Sequence, residues 1–163
     1  MIGQAQTLDP AVLADRAAIS DIVHGYATAL DTLDWTLFRT IFAETVTIDY
    51  RSFDPALAFT IPADDWVAML KGGFGGFDAT QHISSNHVHD IDGDRARCVS
   101  YMQASHFVVR DGQTACATYF GYYVNGLIRT PDGWRLSDVT LNVTARTGEM
   151  RVFEWAAERR GAG

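Results

Sequence analysis

The chain has 163 residues, 47% hydrophobic and 20% charged, with a net charge of −7 and a pI near 5.0. That is the composition of a soluble globular protein, long enough to bury about two thirds of its surface in one domain without disulfide or metal staples. Its arginines are scattered and Lys71 is its single lysine, so no basic stripe exists to neutralise nucleic acid. No stretch approaches the roughly 18 apolar residues of a membrane span, and the first residues lack the basic start and apolar core of an export signal, so a cytoplasmic protein is expected.

Residues 1–7 and 161–163 are expected to be disordered ends. Asp9 and Pro10 supply an N-cap and a first helical residue, and Leu13, Ile19, Ile22, Val23, Tyr26, Ala27 and Leu30 then recur at helical spacing, which predicts one long amphipathic helix. Asp34 is placed to cap a shorter helix through Phe42, followed by a strand over 45–50. A third helix begins near Pro62, and "KGGFGGFDAT" after it reads as a loop whose glycines supply turns or a movable flap. From Thr80 onward, "DGD", "RDGQ" and "TPDG" punctuate alternating segments, the signal of antiparallel hairpins in a meander. The end, "MRVFEWAAERR", reads as a short helix or a strand-to-helix tail. Helices first and a curved antiparallel sheet second give an α+β fold with the long helix across the concave face. Cys98 and Cys116 fall in separate strands and are expected to be free thiols.

Several polar side chains fall where apolar ones belong. In "IDYRSF", alternation places Tyr50 on the row of Val46 and Ile48, so a phenol ends an inward face. Asp31 sits four residues beyond Ala27 on the buried helical stripe; the alternative is that the helix has ended and Asp31 helps to cap the next one. His106 shares a strand face with Cys98, Ser100, Met102 and Ala104, and His82 opens the first meander strand in "TQH". Either histidine alone reads as a satisfied structural residue. Two histidines, a tyrosine and a carboxylate all assigned inward point instead to a polar site inside a cavity, to which Asn125 on the face of Tyr119 and Tyr123 adds a donor and an acceptor. His82, His87 and His89 are the one combination that resembles a metal cluster. No carboxylate at motif spacing completes it, and no metal is expected.

The order "ALDTLDW", "IDYRSF", "PADDWVAML", "TQH" and a histidine in the next strand resembles scytalone dehydratase and its SnoaL-like relatives in the NTF2-like superfamily, from about Val12 to Trp155. The resemblance implies a cone-shaped barrel, a cofactor-free active site in its mouth, a small-molecule substrate, and a homo-oligomer, with a trimer favoured over a dimer. Carried over by position, it implies catalytic roles for Asp31, His106, His82 and Tyr50, with Asp31 bonded to His106. Asn125 matches a substrate-binding asparagine, and Phe53, Met69 and Phe153 match apolar pocket and lid positions. The family's second tyrosine is replaced by Leu30, for which Tyr26 one turn earlier is the candidate substitute, and a family serine appears as Tyr123.

The activity this implies is loss of water from a cyclic or polyketide-derived hydroxy ketone. Histidine suits its proton transfers because its ordinary pKa lies near neutrality. In this reading Asp31 orients His106 and favours its protonated form, His82 assists, and Tyr50 polarises the carbonyl. A ketosteroid-type isomerase, a polyketide cyclase, a hydrogen-halide lyase and a non-catalytic binding module use the same fold and stay open as alternatives.

Overall fold

The computed structural model describes residues 9–161. Pro10 begins α1 (Pro10–Thr32) where a missing N–H costs nothing, and the Asp9 carboxylate accepts from the Ala11 N–H at 2.9 Å. The helix buries Ile19, Val23, Tyr26, Ala29 and Leu30, a stripe at helical spacing, whereas Leu13 near its start is exposed. Asp34 caps α2 (Trp35–Thr40) by accepting from the Leu37 N–H at 2.9 Å. Asp31 therefore lies inside α1, and the capping belongs to Asp34.

β1 (Phe42–Asp49) leads into β2 (Ala58–Pro62), a short edge strand that alternation alone does not reveal. α3 (Ala63–Phe74) runs through Gly72 and Gly73, so the expected glycine loop is shorter than the sequence suggests. Two interior glycines each cost about 1 kcal/mol, but Trp66, Leu70 and Phe74 at successive i+4 positions pack against the core and hold the last turn helical. The meander follows as β3 (Ala79–Asp92), β4 (Arg95–Arg110), β5 (Gln113–Thr130) and β6 (Gly133–Gly148). At the β4–β5 turn Asp111 and Gly112 both take positive φ, 52° and 74°, the type I′ geometry whose twist matches the flanking strands. α4 (Val152–Gly161) closes the described chain, so Gly161 is helical rather than a disordered end. Residues 1–7, 162 and 163, also expected to be disordered, lie outside the described residues.

The sheet order is β2-β1-β6-β5-β4-β3. The curved sheet is mixed rather than wholly antiparallel: β1 fills the free edge of β6 in the parallel sense, while every other pair is antiparallel. Along β4 the inward residues Cys98, Ser100, Met102, Ala104, His106 and Val108 are buried, while Tyr101 among them and Val109 just beyond them are exposed on the outer face. α4 packs on this inner face through Val152 and Ala156 against Val108 and Ala117. Its backbone passes so near the α3–β3 connection that a Cβ on Gly76 would lie 2.0 Å from the Ala156 carbonyl oxygen. Cys98 and Cys116 are both free. Among the described residues no helix is long and apolar enough to cross a membrane.

Candidate active site

Between the inner face of the sheet and the helices lies a cavity of about 390 Å³, toward the small end of the range of about 300–1,000 Å³ found for small-molecule sites. Its walls are mostly apolar. α1 contributes Tyr26 and Leu30, α3 contributes Trp66, Met69 and Phe74, the sheet contributes His82, Met102, His106, Tyr119 and Tyr123, and α4 contributes Phe153 and Arg160. Phe53 and Met69, 40% and 46% exposed, stand at its rim.

Asp31 reaches this cavity through His82. Its Oδ1 is 2.6 Å from His82 Nδ1, its Oδ2 accepts from the His82 backbone N–H at 2.7 Å, and the Thr80 hydroxyl donates to Oδ1 at 2.9 Å. Partial burial pushes the Asp31 carboxyl up, but the hydrogen bonds from His82 and Thr80 outweigh it and hold the carboxyl below its ordinary range. An ionised Asp31 only accepts, so His82 Nδ1 carries the proton and Nε2, which has no partner among the described residues, is left on the side of the ring available to the cavity.

The expected Asp31–His106 bond is thus replaced by an Asp31–His82 bond. β3 rather than β4 passes beside the end of α1, and alternation turns both Thr80 and His82 toward the carboxylate. His106 stands next to this pair, with ring centroids 5.5 Å apart and the planes nearly perpendicular. It is enclosed by Phe74, Phe77 and Phe153, whose centroids lie at 6.0, 4.9 and 4.8 Å, and its Nδ1 is buried with no hydrogen-bond partner among the described residues. Burial first, and then His82, push its pKa down to about 3 against the opposing pull of Asp31. His106 is neutral near neutral pH, the reverse of the protonated form expected from the sequence.

On the α1–β1 side the Tyr26 and Tyr50 hydroxyls are 2.6 Å apart, with the Tyr123 ring 5.8 Å from Tyr26 and 6.1 Å from Tyr50. Burial pushes Tyr26 and Tyr50 well above the ordinary phenol value and Tyr123 to about 12, so all three keep their protons. Tyr26 therefore brings a hydroxyl to Tyr50 from the turn preceding Leu30. Asn125 does not line the main cavity. It borders an adjoining space of about 20 Å³ with Tyr26, His82 and Tyr123. The reason is position along the strand: Ala117 of β5 faces His106 in register, whereas Asn125 faces Cys98, about 25 Å further along an extended strand.

A family model for the SnoaL-like domain matches residues 11–140. The chain belongs to the SnoaL-like family. Scytalone dehydratase of Pyricularia oryzae is 34% identical over 71 residues, a match covering 44% of this chain and 41% of that relative. The chain thus spans less than half the length of this curated relative in the matched region. The crystal structure of the Kfla4162 protein from Kribbella flavida is 34% identical, covers 90% of this chain and 99% of its own, and superposes with a TM-score of 0.80. A type 2 hexachlorocyclohexane dehydrochlorinase shares the fold at 16% identity and a TM-score of 0.71, over 85% of this chain and 90% of its own.

In this SnoaL-like barrel eight of the site residues expected from the sequence, Asp31, His82, His106, Tyr26, Tyr50, Tyr123, Phe53 and Phe153, converge on one cavity or its immediate backing, together with Met69 at the rim. Sequence reasoning missed Thr80, although its place two residues before His82 in "TQH" puts both on one strand face. It also missed Phe77 and Arg160 as lining residues; Arg160 reaches across to the Gly73 carbonyl. His82 is committed to Asp31 and does not join His87 and His89. Those two rings share the Ser20 hydroxyl on α1, at 3.0 Å from His87 Nδ1 and 2.9 Å from His89 Nε2, and His24 stacks 4.6 Å from His87.

Proposed function

We propose that the protein is a cofactor-independent lyase that eliminates water from a small cyclic hydroxy ketone, with the Asp31–His82 pair as its base. The observation that carries this reading is an ionised carboxylate fixing the tautomer of an imidazole on the wall of an apolar cavity. His82 Nε2 takes the proton from the carbon beside the carbonyl, and that C–H electron pair becomes an enolate. Tyr50, its hydroxyl backed by Tyr26, donates a hydrogen bond to the enolate oxygen. As the enolate collapses, the C–O bond to the β-hydroxyl breaks, and the proton held on His82 returns to the departing oxygen, so substrate becomes enone plus water. Neutral His106 positions the leaving hydroxyl by hydrogen bonding, and the rings around it exclude solvent. Support also comes from the similarity to scytalone dehydratase.

A second reading is favoured by the mostly apolar walls of the cavity. A halide leaves without needing a proton, and the same pair would then serve as base for loss of hydrogen halide, the kind of activity carried in the name of the dehydrochlorinase that shares this fold. A panel of hydroxylated cyclic ketones and chlorinated cyclic substrates, followed by mass spectrometry, separates the two by loss of water or of hydrogen chloride. In either case His82→Ala is expected to abolish turnover, and with the hydroxy ketones also α-deuterium exchange. A fully active His82→Ala variant rules out this base.

A further inference from the structure

The β3–β4 hairpin carries a second group of ring nitrogens and a thiol apart from the cavity. Regular alternation after His82 and Ser84 would turn His87 to the outer face. A bulge between Ser85 and Val88 sets Asn86 and His87 opposite the single residue Ser100 and resets the phase, with Asn86 held at φ 53°. His87 and His89 consequently both face α1, and His89 lies directly across from the fully buried Cys98. Asparagine is among the few side chains that tolerate this left-handed backbone.

His87, His89 and Cys98 offer three ligand atoms that all lie within 4.8 Å of one another. Tetrahedral zinc, with bonds of about 2.0–2.3 Å, separates its ligand atoms by about 3.3–3.8 Å, so rotation of the two half-buried rings is enough to close the remaining gap of about 1 Å. The Ser20 hydroxyl, within 3.0 Å of a nitrogen of each ring, marks where those nitrogens converge. One further observation points the same way: the Cys98 thiol is fully buried, and the acceptor it meets among the described residues, the Val99 carbonyl, is distant at 3.9 Å. Such a pair of imidazoles with a thiol is a soft donor set, suited to zinc rather than to magnesium or calcium.

We infer that His87, His89 and Cys98 form a zinc site that ties β3 to β4 at the bulge, with a water held by Ser20 in the fourth position. On binding, the Cys98 S–H bond breaks, its proton passes to solvent and the thiolate bonds the metal; no oxidant or reductant is involved. The site is independent of the Asp31–His82 pair.

The test is titration of the chelator-stripped protein with Co²⁺ as a spectroscopic probe and with Zn²⁺ against a chromophoric chelator. One equivalent per chain is expected, with tetrahedral d–d absorption and a thiolate charge-transfer band. A rise in Tm of about 5 °C or more is expected with free zinc at a hundredfold excess over Kd. The charge-transfer band is expected to vanish in Cys98→Ser and persist in Cys116→Ser, and affinity to fall about tenfold or more in His87→Ala and His89→Ala. His82→Ala is expected to leave binding unchanged. If Cys98→Ser fails to fold, the two histidine variants decide the matter through the same spectra. Wild-type protein that takes up no stoichiometric metal, a charge-transfer band that survives in Cys98→Ser, or binding lost in His82→Ala overturns the inference.

Discussion

Replacing His106 with leucine is expected to flatten the acid limb of the stability curve. The ring is 7% exposed, and burial, followed by His82, lowers its pKa from 6.5 to about 3. In the unfolded chain the same imidazole takes its proton at the ordinary value. Between those two pH values the unfolded state binds more protons than the native one, so stability falls as pH falls; above about pH 6.5 both states are neutral and the ring adds no pH dependence. At about 1.4 kcal/mol per unit, the descent from pH 6.5 to 4.5 costs about 2 kcal/mol, and the whole depression approaches about 5 kcal/mol only below pH 3. That is large against a total stability of about 5–15 kcal/mol. Leucine has similar volume, cannot be protonated, and removes the Nδ1 that has no partner. Urea unfolding of wild type and His106→Leu at a series of pH values from 7 to 4.5 measures the difference, in which the carboxylates and other histidines largely cancel. The variant is expected to gain about 2 kcal/mol relative to wild type over that descent. Parallel curves would mean that the ring carries its proton in the folded protein, and the neutral role given to His106 would fail.

Asp31→Asn removes the ionised acceptor on His82 Nδ1, and turnover on any substrate the protein accepts is expected to fall by about 10²- to 10⁴-fold in steady-state assays. Because hydrogen bonds hold Asp31 below its ordinary range, its contribution to stability is present above about pH 4 and lost as pH falls through the lowered value; in Asp31→Asn this pH-dependent part is expected to be absent from acid unfolding curves. Tyr50→Phe leaves the buried Tyr26 hydroxyl without its 2.6 Å partner and is expected to cost about 1–3 kcal/mol in denaturant unfolding, along with a lower kcat. Gly76→Ala places a Cβ 2.0 Å from the Ala156 carbonyl oxygen. α4 must then shift, which is expected to lower Tm and, because Phe153 rides on that helix, to raise KM; unchanged proteolytic sensitivity of α4 would contradict this.

The parts of the fold that sequence makes legible are those decided within a few residues. Asp9, Pro10 and Asp34 mark helix starts, the Asp-Gly pairs mark the hairpins, and the period of two along β4 puts His106 on the inner face. The same local rule placed Tyr50 inside. Which imidazole meets Asp31 is a different kind of question, because His82 and His106 are both inward on neighbouring strands. The answer depends on where α1 ends relative to the sheet: Thr80 sits opposite His106 in register, one diagonal step from His82, and the carboxylate hangs over β3. Asn125 shows the same limit. Alternation gives its face correctly, but β5 carries it along to the level of Cys98, beyond the main cavity. The bulge at Asn86 is harder still, since a single inserted residue reverses the face of every side chain after it. Counting by twos from His82 sends His87 outward, and the left-handed backbone at Asn86 brings it in beside Ser20. A strand's sequence therefore specifies faces only as far as its next irregularity, and here that irregularity separates the catalytic candidates at one end of β3 from the histidines and thiol at the other.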